Sequence, residues 1–104
     1  MIVMRTEDGK VEVVLPIGAG VDATQVFGHE SFASCRDGSL TIIGEKAGKF
    51  EVERIVKSAV GARTMALDPA SREIFLPTAE MTAGSNARPT AKPGTFRIFV
   101  VGQR

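Results

Sequence analysis

At 104 residues the chain is one domain or less, with room for only a modest core. Its 43% hydrophobic and 24% charged residues are ordinary for a globular chain, and a formal net charge of +1 excludes the broad basic footprint of a nucleic-acid or anionic-membrane binder. The single cysteine, Cys35, excludes an internal disulfide, and six Phe with neither Trp nor Tyr leave few base-stacking platforms.

The predicted elements are all strands. Ile2 to Arg5 is β-prone, Asp8-Gly9 favours a hairpin turn, and Val11 to Ile17 (VEVVLPI) is rich in β-branched residues, with Pro16 suited to a strand end. Gly18-Ala19-Gly20 is flexible backbone. Val21 to Phe27 reads as a strand with Val21, Ala23 and Gln25 on one face, Gly28-His29-Glu30 as a turn, and Ser31 to Cys35 as the return strand. A further Asp37-Gly38 turn leads to a strand over Leu40 to Glu45. Phe50 to Val56 alternates as a fourth, with Phe50, Val52 and Ile55 inward after a local irregularity.

The plan then restarts. Thr64 to Leu67 is a strand, Asp68-Pro69-Ala70-Ser71 a type I turn, and Glu73 to Thr78 the return strand. Met81 to Gly94 is a Pro/Gly/Ser/Ala-rich loop, and Thr95 to Val101 is a terminal strand. Gly18 to Gly61, Ala23 to Ala66 and Phe32 to Phe75 all share an offset of 43, while Leu40 to Phe96 spans 56, which assigns 13 extra residues to the Met81–Gly94 loop. A period near 43 with four strands per period lies in the range of β-propeller blades.

Gly61 to Glu80, GARTMALDPASREIFLPTAE, resembles the inner hairpin of YVTN-type β-propeller repeats, the seven-bladed surface-layer and lactonase-like group. Asp68-Pro69 with Ser71-Arg72 matches the turn of that repeat, and Ile74-Phe75-Leu76-Pro77-Thr78 stands where its name-giving element stands. The upstream copy departs from it, with Gly28-His29-Glu30 in place of the Asp-Pro turn. LPIGAGVDAT and FRIFVVG also look like this group.

The resemblance implies an all-β, partial β-propeller of about two and a half four-stranded antiparallel blades. Residues 1–17 would be the last two strands of one blade, 18–56 a complete blade, and 61–104 three strands of a final blade carrying loop 81–94. Phe75 is then expected in the inter-blade core, where Asp would abolish folding. The chain reads as the C-terminal fragment of a longer propeller. The alternative is a unit whose copies complete a ring as a homo-oligomer, each lending an N-terminal strand such as Val11–Ile17. The implied function is a non-catalytic scaffold for a protein or small-molecule partner, with a lactonase-like hydrolase as the alternative.

Three residues are candidate ligand contacts. Arg63 opens an innermost strand, where propellers face their channel, and is placed to meet an anionic ligand or an interblade acid. Asp22 begins the corresponding strand of the other copy and is a candidate partner for Arg63 or a metal-facing carboxylate, though one carboxylate makes no site by itself. Glu80 ends a second-strand segment and faces the same end. Each has an ordinary structural use as a salt bridge or loop anchor. His29 has no second ligand at useful spacing, and Cys35 reads as a buried strand residue. Arg88 and Lys92 mark the Met81–Gly94 loop as a pocket cap or an insertion. No catalytic motif, cofactor or metal is implied, nor any nucleic acid or membrane partner. Without a secretory signal the sequence as written predicts a cytoplasmic product; a longer parent could be secreted or periplasmic.

Overall fold

A computed structural model describes residues 1–82 and 88–102. Among the described residues every regular element is a β-strand and every ladder is antiparallel. The chain begins with a hairpin of β1 (Ile2–Met4) and β2 (Val11–Val14). A four-stranded meander follows: β3 (Val21–Phe27), β4 (Glu30–Cys35), β5 (Ser39–Lys46) and β6 (Lys49–Lys57), in that spatial order. The third sheet holds β7 (Ala66–Asp68), β8 (Glu73–Thr78) and, after a two-residue ladder of β9 (Met81–Thr82) with β10 (Thr90–Ala91), β11 (Arg97–Val101), with β8 in the middle. No sheet is closed.

The four-stranded and three-stranded sheets share one core. Side chains alternate along each strand, and the registers put Phe32 beside Ile42, and Leu40 beside Val56, on one face of the meander. Ile74 and Leu76 occupy the facing side of β8. These residues pack with Ala62 and Met65 from the connection between the sheets, and Leu40 and Leu76 are completely buried. The opposite face of the meander is buried as well: Ala33, Cys35 and Thr41 are fully inaccessible and Ile43 is 1% exposed. The N-terminal segment reaches that face, since Gly18 offers a backbone hydrogen bond to the Cys35 thiol and the N-terminal charge acts on it. The order of layers is therefore hairpin, four strands, three strands. The radius of gyration, 15.5 Å, exceeds the ~13 Å of a closed globule of this size, as expected for an open stack.

Aspartates fasten the connections. Asp37 accepts hydrogen bonds from the Ala19 amide (2.8 Å), the Ser39 amide (3.0 Å) and the Ser39 hydroxyl (2.6 Å). This ties the Gly18-Ala19-Gly20 loop to the β4–β5 turn, and a Cβ at Gly18 would overlap the Ser39 hydroxyl and the Asp37 carboxylate. Asp68 holds its own turn through the Ala70 amide (3.0 Å) and the Ser71 hydroxyl (2.8 Å).

Several sequence-based expectations change. β7 starts at Ala66 rather than Thr64; Thr64 adopts a left-handed conformation, φ 58°, outside the β region. β2 stops at Val14. The irregularity foreseen in β6 lies opposite Ile42 and Ile43, and it turns Val56 inward while leaving Ile55 64% exposed. The Met81–Gly94 loop carries the β9–β10 ladder; its middle, 83–87, is outside the described residues. Phe75 is not in the core between the sheets. It faces the other way, half-buried, alongside Ala66 and Val100.

Candidate functional site

Two openings flank the shared core. The first is at the end where Arg63, Asp22 and Glu80 were expected to converge. Arg63 is exposed, its amide donates to the Pro77 carbonyl (3.2 Å), and with Thr64, Pro77, Ala79, Met81 and Phe96 it borders a shallow depression of about 340 Å³. Asp22 reaches across from β3 and accepts a hydrogen bond from the Thr64 amide at 2.5 Å. Its other oxygen lies 3.6 Å from Arg36, not from Arg63. The candidate Asp22–Arg63 pair is thus replaced by a bond to the neighbouring backbone and a pair with Arg36 in the turn after β4. The physical cause is the left-handed Thr64, which turns that amide toward β3.

Glu80 does not line that depression; its carboxylate lies 3.9 Å from Lys92. Its amide donates to the Thr95 hydroxyl (3.0 Å) and its carbonyl accepts from the Lys92 amide (2.8 Å). Glu80 therefore closes the base of the Met81–Gly94 loop. Among the described residues no ion pair joins Arg63 to either acid. Asp22 acts as a strut between two sheets, Glu80 as a loop anchor, and Arg63 is the one of the three with no ion pair among the described residues. His29 is exposed in the β3–β4 turn.

The second opening is larger and was not foreseen from the sequence. It is a cleft of about 500 Å³ where the two sheets splay apart. One wall is the cross-strand row Leu67, Ile74 and Val101. The other carries Phe27, Phe32 and Ile42. Its polar lining is Glu30, Glu53, Arg54 and Arg72. The register slip in β6 explains two of these: one extra residue at the bulge lets the consecutive Glu53 and Arg54 both line the cleft, where regular alternation would place only one. Glu53 lies over Gly44, in space that any Cβ there would take, and is 3.7 Å from Lys46. Arg72 sits over the Phe27 ring, 5.7 Å from its centroid.

The shifted ionisable groups are elsewhere and their causes are structural. The Ser39 hydroxyl, with the Ala19 amide, holds the Asp37 carboxyl below its ordinary value of 3.8. The Ser71 hydroxyl, with the Ala70 amide, does the same for Asp68. Burial, reinforced by the Asp37 charge, pushes the Cys35 thiol above its ordinary 9.0, so it is a poor nucleophile at neutral pH. Among the described residues no three His, Cys, Asp or Glu side chains cluster in a way that suits a metal ion. Compared with protein-family models, with curated proteins and with solved structures, the chain matches none.

Proposed function

We propose that this chain is a non-catalytic repeat scaffold of the β-propeller kind, in which each sheet buries one face against the sheet before it and offers the other to the sheet after it. One observation carries the reading. Phe32 and Phe75, related by the offset of 43, both face forward along the chain. Phe32 is covered by the three-stranded sheet and 7% exposed. Phe75 lies on the far side of that sheet with Ala66, Pro77, Ile98 and Val100, of which Ile98 and Val100 are 53% and 54% exposed. The rear-facing residues correspond in the same way: Ala33 and Cys35 are buried against the N-terminal segment, and Leu76 and Thr78 are buried on the face toward the meander.

The outer face is thus an apolar surface whose repeat equivalent is a core. Its complement is another sheet of the same kind, which for this chain means a second copy or further blades. A lactonase-like hydrolase fits the site less well, because Asp22 and Glu80 serve as strut and anchor, and the shifted carboxyls Asp37 and Asp68 are held by turn hydrogen bonds.

The test is sedimentation velocity across a concentration series, on the wild type and on Phe75→Asp. The expected result is a discrete assembly for the wild type and a folded monomer for the variant. A wild type that stays monomeric at every concentration with sharp, dispersed spectra would overturn the reading.

A further inference from the structure

The cleft between the two sheets lies on the inner face of the three-stranded sheet. Whether the outer face takes another sheet therefore does not bear on it. Its size, about 500 Å³, is that of a small-molecule site rather than a packing defect. Two walls of aromatic and aliphatic side chains offer an apolar slot with a polar mouth.

The charges at the mouth decide what it can hold. Glu53 is answered by Lys46 at 3.7 Å, and Glu30 is already engaged in an interaction of its own. Arg54 and Arg72 have no ion pair among the described residues. Arg72 is instead parked on Phe27, which holds its guanidinium over the apolar wall. Among the described residues the site thus has two guanidinium forks without a salt bridge beside an apolar slot, and a planar carboxylate is the group those forks match. The acids on the same rim disfavour a multiply charged head.

We propose that the cleft binds a small monocarboxylate amphiphile, its head between Arg54 and Arg72 and its apolar body against Leu67, Ile74 and Phe32. The bulge in β6 makes the site, since it aims Arg54 into the cleft beside Glu53.

The experiment is a titration of the full chain with octanoate below its micelle concentration, followed by amide and methyl NMR shifts. The result expected is saturable one-to-one binding, with shifts confined to the cleft lining, Leu67, Ile74, Val101, Phe32 and Ile42, and to the Arg54 and Arg72 side chains. Octyltrimethylammonium should bind far more weakly. Each of R54Q and R72Q, both exposed positions that leave the core intact, should weaken octanoate by about tenfold, the strength of one charge-assisted hydrogen bond. E53Q should tighten it. Equal affinity for the cationic analogue, unsaturable binding, or shifts mapping to Phe75, Ile98 and Val100 would overturn the proposal.

Discussion

Leu76→Ala is the sharpest perturbation of the shared core. Leu76 is completely buried on β8, the central strand of its sheet, paired with Phe99 across the β11 ladder. Truncation removes apolar transfer free energy of roughly 0.8 kcal/mol for each carbon lost and leaves a cavity that two facing sheets cannot easily collapse. The expected loss is about 3 kcal/mol, a large part of the 5–15 kcal/mol typical of a domain. At about 4–8 °C per kcal/mol for a chain near this length, the midpoint should fall by roughly 15 °C. Phe75→Ala, one residue away on the uncovered face, should cost only about 1 kcal/mol in the monomer despite removing a larger side chain. Urea titration followed by far-UV circular dichroism measures both, since the chain has no Trp or Tyr for fluorescence. If Phe75→Ala destabilises the monomer more than Leu76→Ala does, the assignment of inner and outer faces is wrong.

Further outcomes follow from single groups. Asp22→Ala removes the acceptor of the Thr64 amide and should cost about 1 kcal/mol in urea titrations, while Thr64→Gly, which relieves the left-handed conformation, should stabilise by up to about 1 kcal/mol. Asp37 and Asp68 have folded-state pKa values below their unfolded ones. Their stabilisation is thus complete above about pH 4 and is lost as pH falls through the depressed folded values. Acid titrations should show a shallower acid limb for D37N and D68N. Thr41 carries a buried hydroxyl with no hydrogen-bond partner among the described residues, so Thr41→Val should raise the urea midpoint. Cys35 should react with a thiol reagent at pH 8 only as fast as the protein opens; rapid reaction in the folded state would contradict its burial.

Local signals carried much of the fold. β3 and β8 match their expected spans because alternation and flanking turn residues agree there, and the Asp68-Pro69 turn forms through its own side-chain bonds. The start of β7 was not legible, because it depends on an aspartate 42 residues upstream capturing the Thr64 amide. The same long-range bond explains why Asp22 and Arg63 are near each other yet unpaired. The facing of Phe75 follows from the offset of 43 once its counterpart Phe32 is seen under cover, but the sequence does not say whether a further layer covers it. The cleft was missed because its walls come from two sheets. The one local clue was the break in alternation at Glu53-Arg54, where two charged residues interrupt an apolar face.

The account rests on the four-stranded and three-stranded sheets forming one core, and native-state hydrogen exchange tests that most directly. Amides of β4, β5 and β8 should exchange only through global unfolding, with one common free energy equal to that from urea titration, while β9 and β10 exchange freely. If β8 opens at a distinctly lower free energy than β5, the two sheets do not share a core and the scaffold built on their packing fails.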